Sequence, residues 1–166
     1  PYAASKIGAD QIALSYWRSF KTPITIIRPF NTYGPRQSAR AVIPTIITQI
    51  LSGKKEIALG SITPTRDFNF VEDTCRAFLE VAKSDSTIGK TLNSASNFEI
   101  SIGETALLIS KIMGKEVEIN YDKVRLRPDN SEVHRLFGDN TLIKNITNWE
   151  PYFGGLEGFK RGLKIT

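Results

Sequence analysis

The sequence predicts an α/β fold, and three observations carry that prediction. Short β-branched runs alternate along the chain with stretches whose apolar residues recur every three or four positions. No internal repeat or low-complexity segment interrupts the alternation. The 166 residues, 40% hydrophobic and 23% charged, suffice to bury a core of ordinary globular kind.

Taken in order, residues 6 to 20 place Ile12, Ala13, Tyr16, Trp17 and Phe20 at helical spacing. After Pro23, the run Ile24, Ile26, Ile27 reads as a buried strand of a parallel sheet that ends at Arg28-Pro29. Val42, Ile43, Ile46, Ile47, Ile50 and Leu51 form the next helical face, stopped by Ser52-Gly53. Strands at about 56–59 and 66–71 lead to a helix that runs to about Lys83, then a short strand from Thr91 to Asn93. Ser101-Ile102-Gly103-Glu104 is a capping box opening a helix that ends at Gly114, and Glu116 to Tyr121 alternates as a strand does. A strand at Leu136–Phe137, a helix after Asn140 and an amphipathic turn carrying Leu156, Phe159 and Leu163 complete the chain.

Composition excludes several functional classes. No apolar run approaches the roughly 18 residues of a membrane span. Pro1-Tyr2-Ala3-Ala4-Ser5-Lys6 has neither the basic nor the apolar region of a signal peptide and reads as a cut. The single cysteine, Cys75, forms no internal disulfide, offers no metal-ligand spacing and fits a reducing, cytoplasmic setting; within its helix it is expected as a small buried side chain. The net charge of +5 comes from basic residues scattered singly or in pairs, not gathered on a stripe, so no nucleic-acid partner is expected. His134 has no acid or nucleophile at a telling spacing, and Trp17 and Trp149 read as core.

Chemistry is carried first by Tyr2 and Lys6, which stand at i and i+4 on one helical face. A phenol, ordinarily titrating near 10, becomes a usable base at neutral pH when an ammonium and a helix N-terminus stabilise its phenolate. That spacing alone recurs by chance. Read alone, too, Arg66 would pair with Asp67 or Asp73, and Arg127 would sit on a solvated loop.

The order of motifs changes this. Tyr2-x-x-x-Lys6 is followed by Arg28-Pro29-Phe30-Asn31-Thr32-Tyr33-Gly34-Pro35, by Arg66-Asp67-Phe68-Asn69-Phe70-Val71-Glu72-Asp73, and by Arg127-Pro128. This order resembles the extended short-chain dehydrogenases of the NAD-dependent epimerase/dehydratase family, which act on nucleotide sugars. The likeness runs through Trp149-Glu150-Pro151 to Leu156-Glu157-Gly158. Within the family, the stretch from Asn31 to Pro44 is most similar to 4,6-dehydratases of the UDP-N-acetylglucosamine, legionaminic acid type.

The resemblance implies a Rossmann-like α/β fold. Residues 1–35 would end the NAD-binding domain, residues 36–166 would form a mixed α/β substrate domain, and a return to the Rossmann sheet would fall near 65–95. No G-x-G-x-x-G fingerprint occurs, so most of the NAD-binding half would lie upstream and the chain alone would be inactive. Tyr2 would be the general base on the sugar 4-hydroxyl and Lys6 would hold the nicotinamide ribose, with Pro29 also on the cofactor side. Arg66 and Arg127 would grip the diphosphate of a UDP-linked sugar and Asn31 would donate to it. Val42 and Ile43 would pack near the base, and Glu132 would accept from the ribose hydroxyls. The family commonly dimerises through the helix that bears the tyrosine and the helix preceding it, of which only the first is present here. A 4-epimerase and a non-catalytic nucleotide-sugar binding module stay open beside the dehydratase.

Overall fold

A computed structural model describes residues 1–126 and 132–166. The chain opens with α1 (Tyr2–Phe20), which Lys21 closes in the left-handed conformation at φ 55°. Then come β1 (Ile26–Pro29), β2 (Asn31–Tyr33), α2 (Val42–Leu51), β3 (Glu56–Leu59), β4 (Thr65–Phe70) and α3 (Val71–Ala82). The remainder is β5 (Thr91–Ser94), β6 (Glu99–Ser101), α4 (Ile102–Ile112), β7 (Glu118–Tyr121), β8 (Arg135–Leu136), α5 (Thr141–Ile146) and α6 (Gly155–Ile165).

Three small sheets result. β1 pairs β5 in parallel, Ile26 opposite Thr91, as the β-branched run predicts. β3 pairs β7 in parallel. The third sheet centres on β4, whose C-terminal half pairs β2 in parallel, while its first residues pair β6 antiparallel and β8 in parallel. β2 and β6, three residues each, are too short to show a period of two, which is why the sequence gives no sign of them.

The larger core lies among α2, α4, α6 and the β3 and β4 strands. Ile43, Ile46, Ile57, Phe70, Ala106 and Phe159 are all essentially inaccessible there. Phe68 stacks on Phe159 at 5.5 Å, and Tyr33 meets both Phe70 and Phe159 edge-on. Gly162 is required at this crossing, because a Cβ would stand 2.1 Å from the Tyr33 hydroxyl oxygen. A smaller core joins α3 to β5 and α5 through Ala77, Val81, Leu92, Ile143 and Trp149. The Trp149 indole donates to the Asp73 carbonyl at 2.9 Å, so its buried polar edge is satisfied.

Two expectations are corrected. Cys75 is exposed: α3 buries Asp73, Thr74, Ala77 and Val81, and position 75 falls off that stripe. Trp17 is half-buried against Gly89 instead of in the core, because α1 buries none of its residues. Among the described residues, no helix is long and apolar enough to cross a membrane.

Candidate functional site

A cleft of about 490 Å³ opens where β2, the start of α2, the end of β3 and the start of β4 converge. Asn31, Val42, Arg66 and Glu132 line it together, although they are spread over a hundred residues of sequence. The register explains the meeting. Arg66 pairs across the sheet with Leu136, so the chain that enters β8 carries Glu132 and Val133 past the Arg66 side chain.

Arg66 is held firmly. Its Nη1 donates to the carbonyls of Thr65 (2.8 Å) and Val133 (2.6 Å), and its Nη2 donates to Glu132 Oε1 (2.8 Å). Arg66 and Glu132 side chains are only 14% and 15% exposed. A guanidinium carries five N–H donors, so Nε–H and one Nη2–H remain for a ligand. Neither Asp67 nor Asp73 pairs with Arg66. Asp67 accepts from Ser96 and from the Gly138 N–H, and Asp73 accepts from the Tyr152 and Phe153 N–H groups.

The cleft also takes in residues that no motif singled out, notably Gln37, Arg40, Gly60 and Arg125. Gln37 Nε2 donates to the Thr32 carbonyl at 2.8 Å and ties the loop after β2 to the cleft wall. Gly60 is needed because a Cβ would lie 2.7 Å from the Arg125 carbonyl oxygen. Three arginines to one carboxylate make the lining suited to an anion. The first turn of α2 adds to this, since Ala41 caps it without a side-chain bond.

Other expected residues stand elsewhere. Ile43 is 1% exposed in the core and does not itself line the cleft: it is the inward neighbour of Val42. Tyr2, Lys6 and Pro29 are exposed and do not line the cleft. Pro29 ends β1 two residues before Asn31 begins β2, so one short connection joins the two groups of residues. Lys6 Nζ stands 5.6 Å from the centre of the Tyr2 ring. Arg127 lies outside the described residues. Among the described residues no three His, Cys, Asp or Glu side chains gather as a metal site.

The sequence profile of the family described as GDP-mannose 4,6 dehydratase matches residues 1–161. The chain belongs to that family. A trifunctional UDP-glucose 4,6-dehydratase/UDP-4-keto-6-deoxy-D-glucose 3,5-epimerase/UDP-4-keto-L-rhamnose-reductase of Arabidopsis thaliana is 34% identical over 155 residues, which is 90% of this chain and 23% of that protein. The dTDP-glucose 4,6-dehydratase of Bacillus anthracis, solved in complex with NAD, superposes on 99% of the chain with a TM-score of 0.84 and 31% identity. The UDP-glucuronic acid 4-epimerase of Bacillus cereus, solved with UDP-glucuronic acid and NAD, superposes on 99% with a TM-score of 0.85 and 26% identity. These likenesses bear out the Rossmann-like α/β class. The chain spans half the length of each of those two solved chains.

Proposed function

We propose that this chain is the substrate-binding part and catalytic helix of an NAD-dependent 4,6-dehydratase acting on a UDP-linked sugar. The observation that carries the reading is Arg66, fixed by three hydrogen bonds on the wall of a cation-rich cleft beside Asn31, Glu132 and the start of α2. An arginine held in this way presents its remaining donors to a diphosphate without further loss of side-chain freedom. Arg127, from the sequence motif, would be the second grip, and Glu132, which holds Arg66, is near enough for a ribose hydroxyl to share.

Tyr2 and Lys6 fit the nicotinamide ribose end of the cofactor. Both are exposed, one turn apart, and Lys6 has no carboxylate partner among the described residues. When bound, NAD supplies the hydride acceptor for carbon 4 of the sugar and the hydride donor for carbon 6. Tyr2 takes the proton of the 4-hydroxyl, and Lys6 holds the ribose and keeps positive charge beside the phenol. With carbon 4 a ketone, the proton on carbon 5 is acidic and water leaves across carbons 5 and 6.

In this reading residues 1–35 close the NAD-binding domain, to which the pairing of β5 with β1 adds a strand from the 65–95 region. The whole enzyme would work in the cytoplasm as a homodimer paired through α1 and the helix before it, as the family resemblance implies. A second reading, a UDP-sugar 4-epimerase, has the superposition on the Bacillus cereus enzyme in its favour. Product analysis with the full-length protein separates the two: a 6-deoxy-4-keto sugar marks the dehydratase and inversion at carbon 4 the epimerase.

Calorimetric titration of UDP into the 166-residue chain tests the site itself. Arg66→Ala should weaken binding about ten- to a hundred-fold, as loss of charge-assisted hydrogen bonds requires. Arg127→Ala should do the same, and Lys54→Ala, at an exposed turn, should leave the affinity alone. Equal affinities across wild type and all three variants would place the nucleotide elsewhere.

A further inference from the structure

Asp10 stands four residues after Lys6 and eight after Tyr2, on the same face of α1. A lysine and an aspartate at this spacing lie within reach of each other. Yet among the described residues Asp10 pairs not with Lys6 but with Arg28 of β1, whose Nε and Nη2 both donate to Asp10 Oδ2, at 3.1 and 2.6 Å. Among the described residues Arg28 from β1 is the charged group paired with Asp10, and Lys6 is the cation one turn away on its own helix. Arg28 is 56% exposed and Asp10 21%, and a pair so open to water adds little to stability. What the pair does decide is where the Asp10 charge goes.

We propose that Arg28 is a positioning residue for Lys6: by engaging the Asp10 carboxylate from β1, it keeps that charge from neutralising the Lys6 ammonium. The inference rests on the reading of Lys6 as the residue that holds the cofactor ribose. Arg28 precedes Pro29, so one strand end both engages Asp10 and leads toward the cleft through Asn31. An arginine suits the task because its planar fork occupies a carboxylate oxygen with two donors, which a lysine cannot do.

The test is NAD affinity, measured calorimetrically with the full-length protein, alongside thermal melting. Arg28→Gln should weaken NAD binding about twofold, because Asp10 then turns to Lys6 and an exposed pair at this spacing is a weak one. Removing the freed carboxylate as well, in Arg28→Gln/Asp10→Asn, should restore the affinity to that of wild type. A brace that merely fastens α1 to β1 would give the opposite, with the double variant as weak as the single one or weaker. That result, or an Arg28→Gln protein that binds NAD like wild type, overturns the proposal. Should Arg28→Gln fail to fold, Arg28→Met, which keeps the bulk and removes the charge, carries the test with the same sign: weaker NAD binding rescued by Asp10→Asn supports it, and unchanged binding rejects it. Lys6→Ala tells the two failures apart. If that variant keeps full NAD affinity, the reading of Lys6 falls. If it loses affinity while Arg28→Gln does not, only the role of Arg28 falls.

Discussion

At the scale of single residues, Asp67 shows how the motif that contains Arg66 serves the site without touching it. Its side chain is wholly buried. Oδ1 accepts from the Ser96 N–H (2.8 Å) and the Ser96 hydroxyl (2.7 Å), and Oδ2 accepts from the Gly138 N–H (3.2 Å). Burial pushes this carboxyl above its ordinary value, and the hydrogen bonds from Ser96, Gly138 and Asn97 offset only part of that rise. The turn after β5 and the loop after β8 are thus tied to the strand that carries Arg66. Asp67→Asn keeps the shape but turns one acceptor into a donor that faces an N–H or O–H. The expected cost is about 2 to 3 kcal/mol, read as a lower urea midpoint at unchanged slope. A stability within about 0.5 kcal/mol of wild type would show that the turn holds without it. The role of Asp67 was not legible beforehand. Without the motif order, Asp67 reads only as one possible partner of Arg66, whereas neighbours in a strand point to opposite faces.

At the scale of elements, helices were legible where their ends carry chemistry. α4 begins where the Ser-x-x-Glu pattern says it should: the Glu104 N–H donates to Ser101 Oγ at 3.1 Å, and Glu104 Oε2 accepts from the Ser101 N–H at 3.0 Å. Ser101→Ala should cost about 1 kcal/mol in thermal or urea unfolding. Hydrogen bonds from the Ser101 hydroxyl, then from its N–H, hold the Glu104 carboxyl below its ordinary 4.5. A carboxyl lowered by folding stabilises above its unfolded value, and that contribution is lost as pH falls through the lower folded value. Melting curves taken from neutral pH down through the carboxylate range should therefore show a shallower acid decline for Glu104→Gln than for wild type. An identical decline would mean that the box does not survive in solution. The cleft was only partly legible. Asn31, Val42, Arg66 and Glu132 were found through motif order, whereas Arg40 and Arg125 enter it by the path of loops, which no local pattern encodes. Ile43 lies beneath the cleft wall for a related reason. A helical face shows that Val42 and Ile43 are neighbours, but only packing decides which of them faces the core.

At the scale of the whole molecule, α1 is the part whose partners are least accounted for. It is 19 residues long and buries none of them. Ile12, Tyr16 and Phe20, spaced four apart, form a stripe in which each is more than half exposed, and the Tyr16 and Phe20 rings stand 5.5 Å apart. Full burial of one such side chain stabilises by about 1.5 to 3 kcal/mol, so a stripe of three gives two copies a strong reason to meet. A two-fold pairing would set the stripe against its own copy, which is self-complementary because every residue in it is apolar. We therefore expect the 166-residue chain to self-associate, with a weight-average mass in light scattering that rises with concentration. The double variant Ile12→Glu/Tyr16→Glu places like charges across such a contact and should return the chain to a monomer. It should do so without changing the melting temperature extrapolated to low concentration, because neither side chain belongs to either core. A wild-type chain that stays monomeric at high concentration would show that the stripe does not pair two copies of this chain.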